Sequence, residues 1–301
     1  MRLDDSARSE LLEVAIGAAR RAAAHIRAES GGKREVLRKE GGSSHASQVV
    51  TEVDFESQRL ILESLDESIT RYSLGLLTEE SVDDSSRHDR DYFWCIDPLD
   101  GTLPFIEGVD GYSVSIALVS REGIPQVGVI MDPVKDSLFH ATLGGGAFRD
   151  GHPMACAAAG RGSLTLVMDR SFAGLENYPS VIGRLDEIAV RLGFDGVVTI
   201  NQGGAAMNAC WVIEQAPAVY FKFPKPSMGG GSLWDFAASA CIFAELEGAV
   251  CSDVYGGALQ LNRRGNTFMN ERGVVFASDQ RLAEEIYRLV GEFGDPEQRE
   301  P

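Results

Sequence analysis

Two carboxylates and a hydroxyl group are concentrated in six residues, at positions 97–102, directly after the apolar run 92–96. Pro98 cannot donate to a β-ladder and Gly101 permits a sharp turn, so we expect the chain to leave a sheet here. Asp97 and Asp100 can then converge, and they repel each other unless one is protonated or a cation lies between them. Because all the ligands are oxygen atoms, a hard ion such as Mg²⁺ is indicated. Taken alone, the segment also fits an Asp-Pro turn with an Asx hydrogen bond.

Two further acidic segments strengthen the metal-site interpretation. Glu79 and Glu80 end an apolar segment, and Asp235 opens a helical pattern after the glycines at 229–231. Each has an ordinary explanation by itself, as a solvated loop or as a first-turn helix residue that complements the helix dipole. Together with the segment 97–102, they predict an acidic site around two or three metal ions.

Five segments follow one another in the order and roughly the spacing of a known family: 51–54, 79–81, 97–102, 204–208 and 234–235. In these segments the chain resembles the inositol monophosphatase superfamily of Mg²⁺-dependent, lithium-sensitive phosphomonoesterases. The resemblance implies an α+β fold with an α/β C-terminal lobe, layered as an αβαβα sandwich. We expect an N-terminal lobe over residues 1–155, a C-terminal lobe over 156–301, and the metal site in the crevice between them.

The same resemblance implies roles for individual residues. The first metal ion would be held by Glu79, Asp97 and the Leu99 carbonyl, the second by Asp97, Asp100 and Asp235, and a third would lie near Glu79. Glu79 and Thr102, with Asp54 nearby, would orient and deprotonate a metal-activated water. Substrate contacts would come from the backbone amides of Gly101 and Thr102 and from Gly204, Ala205 and Lys222.

Lys222 is the main indication of the substrate, because inositol monophosphatases carry a glutamate at the corresponding place. A lysine only donates hydrogen bonds and is positively charged, so it suits a second anionic group better than a neutral polyol. Bacterial phosphatases of 3′-phosphoadenosine 5′-phosphate have a basic residue at a similar place after a tyrosine. The function favoured by the sequence is therefore a 3′(2′),5′-bisphosphate nucleotidase. An ordinary solvated lysine is the alternative for Lys222, and the same alternative applies to Lys39 and Lys225.

Other features keep different functions open. Leu103-Pro104 replaces the polar pair more usual in the nucleotidases, and the segment 204–206 is closer to an inositol phosphatase. An insert at 224–231 lengthens the approach to Asp235. An inositol-1-monophosphatase or another small sugar or polyol phosphatase is the alternative function. A non-enzymatic metal-binding or sugar-binding module is more remote, because such a site has little need for Thr102 beside two metal ions.

Composition narrows the class of protein. The 301 residues carry a formal net charge of −17, which argues against binding to nucleic-acid polymers or anionic membranes. We find no apolar run of the roughly 20 residues that a membrane helix needs and no signal-peptide core, so a cytoplasmic location is expected. The five cysteines are scattered and are expected to be mostly buried free thiols. The expected partner is a small phosphorylated metabolite, and the resemblance makes a homodimer plausible.

Hydrophobic periodicity predicts the elements that position these residues. The N-terminal half is expected to contain helices at 6–30 and 54–65, followed by strands at 92–96, 112–119, 125–131 and 137–141. The C-terminal half is expected to alternate, with strands at 164–168, 197–201 and 218–222 and helices at 180–192, 205–215 and 234–247.

Overall fold

The computed structural model describes residues 3–31, 36–38, 49–156 and 162–294. The α-helices of these residues are α1 (Asp5–Glu29), α2 (Glu52–Tyr72), α3 (Ser86–Asp89), α4 (Thr102–Glu107), α5 (Tyr178–Arg191), α6 (Ala205–Glu214), α7 (Leu233–Ala244) and α8 (Gln280–Phe293). The strands of the first half are β1 (Val36–Arg38), β2 (Val49–Thr51), β3 (Gly75–Thr78), β4 (Tyr92–Asp100), β5 (Ser113–Ser120), β6 (Pro125–Asp132), β7 (Ser137–Thr142), β8 (Gly146–Arg149) and β9 (His152–Pro153). The strands of the second half are β10 (Leu164–Val167), β11 (Val197–Ile200), β12 (Ala218–Lys222), β13 (Val250–Ser252) and β14 (Val274–Ala277).

Two sheets organise the fold. The first has seven strands in the order β3-β4-β5-β6-β7-β8-β9, antiparallel except for the parallel pair β3 and β4. The second has five strands in the order β11-β10-β12-β14-β13, with β10 parallel to both β11 and β12. All strands of the first sheet precede residue 156, and all strands of the second follow it.

Helices cover both faces of both sheets, which gives five layers. Helices α1 and α2 pack on the outer face of the first sheet, α6 and α7 lie between the sheets, and α5 and α8 cover the outer face of the second. The predicted α+β class and the αβαβα layering are therefore confirmed. The close approach of α1 to its sheet depends on a stripe of small buried residues, including Ala15, Ala18 and Ala22.

Several element boundaries differ from those predicted. Helix α2 begins at Glu52, before the predicted start, because Thr51 and Asp54 form a capping box that fixes its first turn. The helix continues beyond the predicted end to Tyr72. Strand β4 continues past the predicted end at Ile96 to Asp100. Periodicity also did not indicate α8 or the short strands β3, β8, β9, β13 and β14.

Other expectations concern single residues and the membrane. All five cysteines are free thiols, and burial raises the pKa of Cys95, Cys210 and Cys241. Lys39 lies outside the described residues. Among the helices that the structure describes, none combines the length and the apolar character needed to cross a membrane.

Candidate metal centre

A β-bulge at the end of β4 brings Asp97 and Asp100 to the same side. In a regular strand, residues three apart point to opposite faces of the sheet. Here Asp97 pairs with Ser115 and Asp100 with Ser113, so three steps along β4 correspond to two along β5. The extra residue between Asp97 and Asp100 breaks the alternation, and Pro98 in this stretch has no backbone N–H to lose from the ladder. The prediction of converging carboxylates is therefore confirmed, by a bulge within the strand and not by a turn outside it.

Gly101 ends the strand and starts α4 in a conformation that only glycine adopts easily. Its φ is +84°, and a Cβ atom at this position would lie 2.8 Å from the Gly111 carbonyl oxygen and 3.2 Å from the Gly204 nitrogen. The same turn leaves the Leu99 carbonyl oxygen 3.3 Å from the Thr102 hydroxyl oxygen. The backbone of the predicted metal-binding segment is thus tightly packed against the loop that precedes α6.

Asp235 reaches this segment from the first turn of α7. Its Oδ2 atom accepts a hydrogen bond of 2.8 Å from the Ser232 amide, within a capping box that holds the carboxylate at the helix start. One carboxylate oxygen from each of Asp97, Asp100 and Asp235 lies within 4.8 Å of the others. Asp97 and Asp100 are buried, so this arrangement concentrates negative charge away from water.

Glu79 borders the same cluster from the end of β3. Its amide donates to the Ile96 carbonyl over 3.2 Å, which places the residue beside β4. Burial is the largest cause of the raised pKa of Asp54, Asp100 and Asp235, and the negative charge of Glu79 raises all three further. Glu79 is not one of the three residues of the 4.8 Å group.

Burial is the main cause of the electrostatic strain at this centre. It raises the pKa of Asp100 and of Asp235, and the mutual repulsion of nearby carboxylates raises both further. The positive charge of Lys222 and the Ser232 amide act in the opposite direction on Asp235. A hard divalent cation ligated by oxygen fits this donor set, because it would neutralise converging buried carboxylates.

The N-terminus of α6 anchors Asp100. The Ala205 amide donates to Asp100 Oδ1 over 3.0 Å, and the Ala206 amide donates to Oδ2 over 2.9 Å. The Gly204 amide donates to the Gly111 carbonyl over 2.7 Å. The predicted substrate contacts Gly204 and Ala205 thus already use their amides within the protein: the Ala205 amide holds a carboxylate of the centre, and the Gly204 amide joins the two loops.

Thr102 and Asp54 form the predicted polar chain beside the cluster. The Thr102 hydroxyl oxygen lies 3.0 Å from Asp54 Oδ1, while Asp54 Oδ2 accepts from the amide and the hydroxyl of Thr51. Burial raises the pKa of Asp54 to about 6, and Glu79 raises it as well, although the contacts with Thr51 and Thr102 oppose the shift. A carboxyl group with this pKa can accept and release a proton near neutral pH.

Lys222 is paired with an acid that sequence reasoning missed. Its Nζ atom lies 2.7 Å from Asp169 Oδ2, and only 15% of its side chain is exposed. Asp169 lies two residues beyond the end of β10, and the parallel register aligns Val167 with Tyr220. Position 169 therefore falls beside position 222 at the carboxyl edge of the sheet. This register could have identified the pair from the sequence. It can be applied only once β10 and β12 are known to be parallel neighbours.

In EDTA, which removes bound metal ions, we expect the free energy of unfolding of the protein to decrease as the pH rises from about 4 to 7. The folded-state pKa of Asp54, about 6, exceeds its ordinary value of 3.8, so the folded state retains a proton that the unfolded state releases. The stabilisation from this group is complete below about pH 3.8 and is lost as the pH rises through about 6, on the order of 3 kcal/mol in all. Urea unfolding in EDTA at about pH 4 and pH 7.5 measures most of this loss.

Asp54→Asn is the matched variant for this measurement, because it keeps the shape of the side chain and removes its titration. We expect the unfolding free energy of this variant to change less with pH than that of the wild type. Mg²⁺ should recover wild-type stability more at the higher pH, where the carboxylates are ionised. Equal pH dependence of the two proteins in EDTA would contradict the raised pKa of Asp54.

Comparison with known proteins identifies relatives along nearly the whole chain. The model of the inositol monophosphatase family matches residues 7–294. A relative named Nus factor SuhB, from Pasteurella multocida, is 31% identical over 281 residues, which cover 93% of this chain and 95% of the relative.

Solved structures agree with the fold. The extragenic suppressor protein suhB from Bartonella henselae aligns with a TM-score of 0.72 at 22% identity, covering 94% of this chain and 99% of that one. The inositol monophosphatase from Anabaena (Nostoc) aligns with a TM-score of 0.69 at 23% identity, covering 94% and 96%. At these identities the two structures support the five-layer architecture.

Proposed function

Because this chain belongs to the inositol monophosphatase family and is a phosphomonoester hydrolase, we propose that it hydrolyses small phosphate monoesters at the centre of Asp97, Asp100 and Asp235. The family is generally Mg²⁺-dependent, and two or three Mg²⁺ ions are the proposed cofactors. The convergence of three carboxylates within 4.8 Å carries the proposal, since such a group needs positive charge. Membership of a phosphomonoesterase family also sets aside the non-enzymatic alternative.

The residues around the centre have distinct proposed roles. Bound ions would lower the pKa of water and stabilise negative charge on the leaving oxygen. As the family resemblance implies, Asp97 would help to hold both ions, while the α6 amides hold Asp100 in place. Thr102 and Asp54 would take up the proton of the attacking water together with Glu79, because their contact of 3.0 Å joins the centre to a carboxyl group with a pKa of about 6.

For the alcohol part of the substrate, we propose a singly phosphorylated compound with free hydroxyl groups, with inositol 1-phosphate as the first candidate. The sequence prediction of a bisphosphate nucleotidase depends on an uncompensated charge at Lys222, and Asp169 pairs with that charge. The paired groups offer both donors and acceptors, as a polyol requires. A cytoplasmic location and a homodimer remain part of this proposal.

The bisphosphate nucleotide remains a second candidate because of Lys225. The positive charge of Lys222 contributes to a lowered pKa of Lys225, after burial, which places the two lysines close enough to interact. A phosphate group accepts hydrogen bonds from ammonium groups. A second phosphate could therefore contact both lysines.

Release of inorganic phosphate tests the proposed function directly. We expect Mg²⁺-dependent release from inositol 1-phosphate to exceed release from 3′-phosphoadenosine 5′-phosphate and from fructose 1,6-bisphosphate at matched concentrations. EDTA should abolish the activity, and lithium should inhibit it. 4-Nitrophenyl phosphate serves as a substrate with little demand on the alcohol pocket. A folded protein that releases no phosphate from any of these compounds with Mg²⁺ would refute the proposed function, and a preference for the nucleotide would favour the second candidate.

A further inference from the structure

Asp169 is held in one position by three side chains. Its Oδ1 atom accepts a hydrogen bond of 2.9 Å from the Tyr220 hydroxyl and one of 3.3 Å from Asn208 Nδ2, while Oδ2 pairs with Lys222 over 2.7 Å. Tyr220 and Asn208 are fully buried, so they cannot follow a mobile carboxylate. Asp169 is itself 28% exposed, and its carboxylate therefore combines a fixed position with access to solvent.

The Asp169–Lys222 pair lies beside the metal centre. The Lys222 ammonium is 5.3 Å from the centre of the Phe236 ring, and Phe236 follows Asp235 on α7. Asn208 belongs to α6, the helix whose first amides hold Asp100. Helices α6 and α7 thus each contact the pair, and each also holds or carries a residue of the centre. The electrostatic effect of Lys222 on Asp235 agrees with this proximity.

Pairing changes what Lys222 offers to a substrate. An unpaired ammonium in a partly buried wall attracts a second phosphate. With Asp169 at 2.7 Å the pair is close to neutral, and a phosphate drawn to the ammonium would also approach a fixed carboxylate. Like charges at such separations disfavour binding, whereas a hydroxyl group can donate to Asp169 and accept from Lys222.

We propose that Asp169 is a specificity-determining residue that neutralises Lys222 and thereby selects hydroxylated alcohols with a single phosphate over alcohols with a second phosphate. This inference rests on the proposed function, because it assigns the alcohol side of the same site. The Asp169 carboxylate repels the second phosphate of a doubly phosphorylated substrate. Lys222 donates hydrogen bonds to either kind of substrate. Tyr220 and Asn208 position the carboxylate.

The Asp169→Asn variant tests this role through a ratio of substrates. The amide keeps the size of the side chain and its contact with Tyr220, but it releases the charge of Lys222. We expect the ratio of kcat/KM for 3′-phosphoadenosine 5′-phosphate to that for inositol 1-phosphate to rise by about tenfold or more, mainly through KM. A purely structural role of Asp169 would lower both activities together and leave the ratio unchanged.

Glu292→Gln is the matched control. Glu292 pairs with Arg184 on the surface of the same half of the chain, so this variant also removes one negative charge from an ion pair. We expect its substrate ratio to equal that of the wild type. An equal rise in both variants would assign the effect to net charge and overturn the role of Asp169.

A second variant protects the test against misfolding of the first. Lys222→Gln removes the cation and keeps a donor beside Asp169, so we expect the ratio to fall below the wild-type value. An unchanged ratio in both folded variants would overturn the inference while wild-type activity on inositol 1-phosphate still supported the proposed function. Absence of wild-type activity on every substrate, including 4-nitrophenyl phosphate, would instead refute the proposed function itself.

Discussion

Replacing Asp97 with asparagine is expected to lower kcat/KM by about a thousandfold or more, which corresponds to about 4 kcal/mol of transition-state stabilisation. Asp97 is 2% exposed and lies in the 4.8 Å group with Asp100 and Asp235. An amide at this position would lose one anionic oxygen and would direct a donor toward a bound cation. The Leu99 amide donates a hydrogen bond of 3.0 Å to Asp97 Oδ1. The side-chain oxygen of asparagine can accept the same hydrogen bond, so the fold should be preserved.

Mg²⁺ titration followed by thermal unfolding separates loss of the centre from loss of the fold. We expect Asp97→Asn to have little or no Mg²⁺-dependent rise in Tm, whereas the wild type should gain several degrees. Asp136→Asn is the control, because Asp136 is an exposed turn residue in a left-handed conformation that asparagine tolerates. Near-normal turnover by Asp97→Asn would rule out its proposed contact with both ions.

Gly204→Ala is the second variant with a large expected effect, although residue 204 contributes no side chain to the site. A Cβ atom at this position would lie 2.5 Å from Asp100 Oδ2 and 2.6 Å from the other two carboxylate atoms. The backbone φ of −67° suits alanine, so the added methyl group acts through Asp100 and not through backbone strain. Asp100 must shift against its α6 amides, and we expect kcat/KM to fall by about a hundredfold.

Gly183→Ala provides the contrast on α5. A Cβ atom there would have no neighbour within 4 Å, so this exchange should leave kcat/KM unchanged and add about 0.5–1 kcal/mol to the unfolding free energy. The measurement pairs steady-state kinetics with urea unfolding for both variants. Wild-type activity of Gly204→Ala would show that the position of Asp100 tolerates displacement.

The acidic residues of the centre could be predicted from sequence because each lies at a chemically distinctive point of the chain. Asp97 and Asp100 follow an apolar strand, and Asp235 begins a helix after three glycines. The bulge that aligns the first two could not be predicted, because it depends on the register between β4 and β5. Local propensity does not contain that register.

Asp169 shows a different limit of sequence reasoning. Its partner Lys222 lies three elements further along the chain, after α5, β11 and α6. Nothing in the local sequence distinguishes Asp169 from a solvated turn aspartate. The parallel pairing of β10 and β12 brings the two positions together. Because Asp169 compensates the charge of Lys222, the substrate proposed from the structure differs from the one that Lys222 alone indicated. The helix α8 was missed for a simpler reason, because no chemistry directed attention to its amphipathic pattern.

The attachment of Asp100 to α6 has a consequence for how the molecule matures. The two partners are 105 residues apart along the chain, and α6 lies between the two sheets. Contacts of such separation carry a large loop-closure cost and form late in folding. The full set of ligands therefore exists only after both sheets have docked on the central helices. Ion binding is therefore a measure of completed folding. Mg²⁺ would stabilise the folded state without accelerating the early steps of folding.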